Sequence, residues 1–497
     1  MNPELQRNLW LDATPRKLAF VAAGVAGVFA AVWLLDRGRH PYAVTFAGSM
    51  VFFATALAWA PRAARASVTD EVRAGSWDFQ RLCALTPWEM TWGKLAGATA
   101  RSWAGALAGL ALAALQLAST SSLRHAGFWV LVALGLAVTL QASGLATGLI
   151  DVRRARASGR PLSGRAPGLL LLMLGLFSLA VLVWVRARVG RVLGGLALQA
   201  STGTPAAPVW WSGHAFGPLG FAALSLLVLA GWALVWAWRL MRLELQFVNA
   251  PWLWAGFLTL AGLYVLGFDP GDAAASPRAA RLSAAAHLWA GLAYVAAFAE
   301  PADRVRARQF GAALRGRQAG RMLSHLPIPA LPSLLALVGG LLVAILYVRG
   351  GDPGAAAAVL ATLAFFARDL GVIAWRRFAG RGRQADAGVL VLLLALYLAG
   401  AGLGRVFGGL HGQALFWPSR TLPGVSLVAG TVEAAVAWLL AGAAIARPAA
   451  PRRAPWPGVA AAPDPEPSPA SAPSWERRPE PPAADIPVKE QLDRLDP

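Results

Sequence analysis

Apolar runs of roughly 17 to 25 residues recur along the whole chain, separated by short segments rich in arginine. A helix rises about 1.5 Å per residue, so a run of that length crosses a hydrocarbon core about 30 Å thick. Twelve runs can be placed, at 18–35, 42–60, 95–117, 128–150, 168–185, 219–238, 252–268, 282–298, 331–348, 354–375, 388–403 and 425–445. Unpaired backbone amides are too costly in lipid, and the runs are far longer than barrel strands, so helices are the spanning form. The composition agrees: 57% of the 497 residues are hydrophobic and 14% charged, unlike an ordinary soluble domain. The predicted fold class is an all-α polytopic membrane protein of about twelve transmembrane helices.

Orientation follows from arginine, because Lys and Arg are retained on the cytoplasmic side. The basic gaps are the even-numbered ones: Arg62, Arg65, Arg73, Arg81 and Lys94; Arg153, Arg154, Arg156, Arg160 and Arg165; Arg304 through Arg321; Arg376, Arg377, Arg381 and Arg383. Both termini are therefore expected in the cytosol, with a bacterial cytoplasmic membrane as the location. Arg186, Arg188 and Arg191 depart from the rule, falling on the predicted outer side. The formal charge of +20 is spread over these loops instead of forming one basic face, which argues against a nucleic-acid partner. Residues 1–17 form an amphipathic cytosolic segment before a retained first anchor. Residues 447–497, rich in Pro, Ala and mixed charge, are expected to be a disordered cytosolic tail. A single cysteine, Cys83, excludes an internal disulfide and a thiolate metal cluster.

The order of spans contains a repeat. Gly190-Arg191-Val192-Leu193-Gly194-Gly195-Leu196 returns as Gly404-Arg405-Val406-Phe407-Gly408-Gly409-Leu410, just after the fifth and the eleventh run. Trp211 and Trp417 follow, each ahead of a Ser, a Pro and the next span, the first loop being the longer. The triplets Val72-Arg73-Ala74 and Val305-Arg306-Ala307 pair more loosely, each followed by a Leu-Pro element, and chance accounts for the triplets alone. Two six-helix halves are predicted, 18–245 and 246–446, related by an axis along the membrane normal.

The loop 67–95 carries the functional signal. Thr86-Pro87-Trp88-Glu89 is a capping box with proline at the first helical position, so a helix should start there. Ahead of it, apolar Trp77, Phe79, Leu82 and Cys83 alternate with Asp78, Gln80 and Arg81, as in a short amphipathic surface helix. The series Asp70-Glu71-Val72-Arg73-Ala74-Gly75-Ser76-Trp77, then Leu82, Leu85-Thr86-Pro87-Trp88 and Gly93-Lys94-Leu95, resembles the permeases of type-2 ABC exporters. Residues 2–9 resemble the amphipathic segment that such permeases carry before their first helix. The resemblance implies a coupling helix that contacts a separate ATPase, through Glu71, Arg73, Gly75, Trp77, Asp78, Phe79, Arg81, Leu82 and Pro87. Trp77, Phe79 and Leu82 would fill a groove on the ATPase, and Arg73, Asp78 and Arg81 would orient the contact. It further implies a pair of ATPase subunits that carry the ATP and magnesium, no cofactor on this chain, and export as the direction. The second-half loop 303–329 lacks the Gly-Ser-Trp and Gly-Lys elements, so its contact would be degenerate.

No phosphate loop is present: Trp92-Gly93-Lys94-Leu95 lacks the upstream glycine and the hydroxyl required at magnesium. The six histidines are scattered singly, with no metal-ligand or paired-carboxylate spacing. The chain is thus read as a transport subunit and not an enzyme. Asp36-Arg37-Gly38-Arg39 is similar to an acidic-basic loop of major facilitator carriers but follows the wrong helix and faces outward, so it reads as a solvated turn. Charges inside spans are costly and tend to line a cavity or find a partner. Glu433 is one. Arg368 and Asp369 either compensate each other within the tenth span or mark its cytosolic end, the end-of-helix reading being preferred; these three are the candidates for a translocation path. His287 and Gln141 read as interhelical hydrogen-bonding groups. The outer segments with Arg191, Trp211, Arg405 and Trp417 are candidates for short re-entrant helices forming an outer gate. An ATP-independent carrier, or a membrane-embedded lipid or glycan enzyme, is the alternative reading.

Overall fold

A computed structural model of the chain describes residues 2–37, 39–40, 42–83, 85–158, 208–247, 251–269, 276–300, 303–379 and 385–447. The expected fifth span at 168–185, the first repeat copy with Arg191, and the tail beyond Arg447 lie outside the described residues. Within them the helices are α1 (Pro3–Asp12), α2 (Pro15–Asp36), α3 (Ala43–Arg73), α4 (Trp77–Leu82), α5 (Pro87–Thr120), α6 (Leu123–Ser158) and α7 (Pro218–Glu244). There follow α8 (Trp252–Leu266), α9 (Pro277–Ala299), α10 (Arg304–Arg315), α11 (Ala319–Ser324), α12 (Ala330–Arg349), α13 (Pro353–Ala379), α14 (Gly388–Ala414) and α15 (Pro423–Ala446). Ten of these are long and apolar enough to cross a membrane: α2, α3, α5, α6, α7, α9, α12, α13, α14 and α15. The protein is an all-α polytopic membrane protein by this measure. Where the seventh span is expected, at 252–268, stands α8, an apolar helix of 15 residues that falls short of the length of the ten. Seven of the helices begin on a proline, whose fixed φ suits a first turn and whose missing N–H has no partner to lose there.

Three helices exceed the thickness of a bilayer core by the widest margin. At 31, 34 and 36 residues, α3, α5 and α6 reach about 46 to 54 Å, well beyond a core of about 30 Å. The second span, expected to stop at residue 60, continues unbroken to Arg73. Ala60, Ala64 and Val68 keep helical spacing and stay buried, the last two in a core with Leu145, Leu149 and Val152 of α6 and Met241 of α7. Pro61 is tolerated because residues Phe53–Trp59 before it form a π-helical stretch, a local widening of the hydrogen-bond pattern next to the missing donor.

Neighbours repeat between the two parts of the chain. In the first, α3 packs on α5, α5 on α6 and α6 along α7; in the second, α9 packs on α12, α12 on α13 and α13 along α15. Buried alanine and glycine line the α13–α15 contact, among them Ala361, Gly371, Gly430, Ala434 and Ala437. Small residues let helix backbones approach where lipid gives no hydrophobic drive. The Val-Arg-Ala triplets do not correspond: 72–74 closes α3, whereas 305–307 opens α10.

The antiparallel strands β1 (Val209–Trp211) and β2 (His214–Phe216) turn through Ser212 and Gly213, both at positive φ (50° and 80°), as a two-residue hairpin requires. In α14, a π-helical stretch at Ala395–Gly400 leads to Gly409, where φ 58° and ψ −141° reverse the chain. The two arms touch backbone to backbone: a Cβ on Gly404 would lie 2.3 Å from the Gly412 carbonyl oxygen. The second copy of the Gly-Arg-Val repeat therefore builds a tight helical reversal.

Candidate functional site

After Arg73 the chain turns at Gly75, with φ +71°, and enters the six-residue α4. The expected capping box is formed. Thr86 Oγ1 accepts the Glu89 amide at 3.2 Å and Glu89 Oε2 accepts the Thr86 amide at 2.9 Å, with Pro87 in the first turn of α5. Helix α4 is amphipathic, but not in the way its composition suggested. Trp77 is 1% exposed, its indole N–H donating to Glu244 Oε1 of α7 at 3.2 Å. Phe79 and Leu82, at 77% and 84% exposure, point the opposite way. Residues three or four apart share a helix face and residues two apart do not, so Trp77 falls with Gln80 and Arg81 while Phe79 falls with Leu82. Trp77 is therefore unavailable to fill a groove on a partner. Arg81 also braces the loop, donating to the Glu244 carbonyl at 3.1 Å and pairing with Asp78 at 3.2 Å. Arg156 of α6 pairs with Asp78 at 3.0 Å and with the Glu244 carboxylate. Arg73 stays at the surface beside Asp70, 2.6 Å away.

A second cluster joins this loop to the start of the chain. Asn2 caps α1, accepting the amides of Glu4 and Leu5. Helix α1 lies in a groove of α5 made by Gly93 and Gly97: a Cβ there would stand 2.6 Å from Glu4 Cβ and 2.5 Å from Asn8 Cβ. Lys94, between them, is 0% exposed. Its ammonium reaches Glu4 at 2.9 Å, Gln80 at 3.1 Å, the Ser67 carbonyl at 3.2 Å and the Glu71 carboxylate, and lies 5.0 Å from the Trp77 ring centroid. Arg7 pairs with Glu4 and Glu71. The Gly-Lys pair and the acidic residue of the motif thus have one physical reason: close approach of α1, and a buried cation held by two carboxylates. Glu71 belongs to this interior and does not face outward.

The loop of the second part repeats the order of a helix, a left-handed residue (Arg317, φ 52°), a six-residue helix and a proline-led entry to the next long helix. Its base is tied. Arg306 pairs with Glu300 at 3.0 Å and donates to the Leu326 carbonyl at 2.9 Å, and the Ile328 amide donates to Glu300 at 3.0 Å. Burial holds the Glu300 carboxyl above the ordinary carboxylate range, against the pull of Arg306 and of that amide. Helix α11 buries no residue, in contrast to α4.

The charges expected near a helix end sit inside one. Helix α13 runs on to Ala379, ten residues past Asp369, so Arg368 and Asp369 are internal and the end-of-helix reading fails. Arg368, 1% exposed, donates through Nε and Nη2 to Asp369 Oδ1 at 2.9 and 2.8 Å, and through Nη1 to Glu433 Oε2 of α15 at 2.7 Å. Tyr294 of α9 and Tyr397 of α14 each donate to Asp369 Oδ2 at 2.8 Å. The guanidinium carbon lies 4.6 and 4.7 Å from the Phe365 and Tyr397 ring centroids. Four helices meet in this cluster. Tyr294 and Tyr397 escaped the sequence reading, although they are two of only five tyrosines and each lies in an apolar run.

The remaining candidates are dispersed. Trp211 donates to the Tyr264 carbonyl at 2.9 Å and packs among Phe216, Phe221 and Tyr264. Arg405 donates to Gln413 at 3.0 Å across the Gly409 reversal, and Trp417 meets Tyr397 edge-on at 5.3 Å. Trp211 and Trp417 pack in separate clusters. Gln141 does link helices, accepting from Trp103 at 2.9 Å and donating to the Ala56 carbonyl at 3.4 Å; His287 instead bonds the Ser283 carbonyl of its own helix. Compared with family models, with curated proteins and with solved structures, the chain matches none.

Proposed function

We propose that the chain is the membrane-spanning permease of an ABC exporter, driven by a pair of separate ATPase subunits that hold the ATP and magnesium. The observation that carries this reading is α4: a short helix nailed to the bundle on one side while presenting two large apolar side chains, Phe79 and Leu82, on the other. Exposed apolar anchors on a rigid support are what a docking contact needs, because little side-chain freedom is lost on binding. In this reading the arginine-rich end lies in the cytosol of a bacterial cell, and the two parts of the chain are six-helix repeats whose like packing order supports a common origin. A push on α4 passes through Trp77 and Arg81 into α7, through Lys94 into α5, and through Glu4 into α1. The halves then rock between inward-open and outward-open arrangements, with the Gly409 reversal at the outer end.

The test is co-purification with ATPases encoded beside this chain. A stable complex and stimulated hydrolysis are expected, both lost in the pair Phe79→Ser, Leu82→Ser. No complex with any such ATPase would overturn the proposal.

The buried Arg368 cluster favours a second reading, an ATP-independent carrier or a membrane-embedded lipid or glycan enzyme. That reading expects Glu433→Gln to abolish activity while the α4 pair has no effect, whereas nucleotide coupling requires the α4 pair to abolish it.

A further inference from the structure

Charge inventories separate the ion clusters of this protein. Around Lys94 the formal charges balance, Lys94 and Arg7 against Glu4 and Glu71. Around Glu244, Arg156 and Arg81 stand with Glu244 and Asp78, and Arg153 also acts on Glu244, so no carboxylate is in excess there. Arg65 matches Asp151 at 2.9 Å. The cluster inside α13 does not balance: Arg368 stands against both Asp369 and Glu433, leaving one negative charge in excess.

Geometry assigns that excess. Asp369 accepts two N–H bonds from Arg368 on one oxygen and two tyrosine hydroxyls on the other, and is buried. Glu433 holds one guanidinium N–H with Oε2 alone, and its side chain is 27% exposed. Beside it on α15, Val432 and Val436 are exposed, so the free side of the carboxylate opens among apolar groups. Phe365 and Tyr397 face the Arg368 guanidinium and Tyr294 holds Asp369, so these rings fix the frame from which Glu433 projects. An uncompensated carboxylate within a span is costly, and the group that relieves it must carry positive charge through an apolar approach.

We infer that Glu433 is the recognition point for the positively charged group of a lipophilic cation, with Arg368 and Asp369 as the fixed frame that aims it. Where the chain is a permease, this gives the class of its cargo; the inference rests on that reading only for transport, since binding needs no ATPase. A cation at Glu433 makes the charges equal, two positive against two negative, without displacing the Arg368–Asp369 pair.

The experiment uses the full chain in nanodiscs of neutral lipid and tetraphenylphosphonium as probe, with tetraphenylborate, of like shape and opposite charge, as the comparison. Equilibrium dialysis is expected to show saturable binding of the cation, absent for the anion. Glu433→Gln keeps an oxygen for Arg368 and removes the excess charge, and should weaken cation binding about tenfold or more, roughly 1.4 kcal/mol. Asp12→Asn, a carboxylate at the surface far along the chain, should leave it unchanged. Should Glu433→Gln fold poorly, the cation-over-anion preference of the unmodified chain still decides the matter. Equal uptake of both ions, no saturable uptake above empty nanodiscs, or undiminished binding in a folded Glu433→Gln protein would overturn the inference. Cation binding without ATPase docking would leave the site standing and remove the ABC reading; docking without cation binding would do the opposite.

Discussion

The braced loop of the first part and the charged cluster of the second solve the same difficulty, an ion out of water, in opposite ways. At Lys94 each charge meets its opposite and every partner comes from an element that needs holding: α1, α3, α4. At Arg368 the frame is as well bonded, yet one carboxylate is left over and half turned outward. A cluster that balances is explained by architecture. One that does not is a place where something else is expected to bind. The same contrast divides the two short helices: α4 is pinned by Trp77 and Arg81 and shows Phe79 and Leu82, whereas α11 buries nothing.

Substitutions can break or sharpen this comparison. The largest effect is expected from Lys94→Met, which leaves Glu4 and Glu71 with Arg7 as their one remaining cation and removes the buried charge between them. Removing one partner of a buried ion pair costs about 3 to 5 kcal/mol, and thermal unfolding in detergent should register it as loss of a folded, monodisperse protein. Trp77→Phe keeps an aromatic ring but a smaller one, and removes one hydrogen bond to a carboxylate, worth about 1.5 to 3 kcal/mol; stability should fall by at least that much while the Phe79 and Leu82 face stays intact. Glu433→Gln sits at the other pole. It removes a charge that has no equal partner, so the melting temperature should hardly move, and a loss comparable to that of Lys94→Met would show that the carboxylate is architectural after all. Phe79→Ser with Leu82→Ser should change stability least, within about 0.5 kcal/mol as for exposed positions, and act only on partner binding.

Much of this was legible in the residues. The apolar runs gave the helices, since length against bilayer thickness is a one-dimensional constraint, and Thr86-Pro87-Trp88-Glu89 gave the start of α5 because capping is local. The side of α4 that faces outward was not legible. Trp77 and Phe79 are alike in composition, and only the arrival of Glu244, more than 160 positions away, decides which is buried. The extent of α3 was misjudged because Arg62, Arg65 and Arg73 look like a loop, although Ala60, Ala64 and Val68 behind them keep a continuous buried stripe. Arg368 and Asp369 look like a helix end for the same reason: their other hydrogen-bond partners, Glu433 and two tyrosines, lie on three other helices.

The chain holds a single cysteine, and it sits at the exposed end of α4, directly after Leu82. A photoactivatable cross-linker attached to Cys83 in membranes that also contain the neighbouring ATPase therefore reports on the proposed contact without any substitution. Light should join the two chains, and the Phe79→Ser, Leu82→Ser pair should abolish the product. A Cys83 that is reached by a membrane-impermeant maleimide from outside intact cells, or that never captures an ATPase, would contradict a force-transmitting role for this helix.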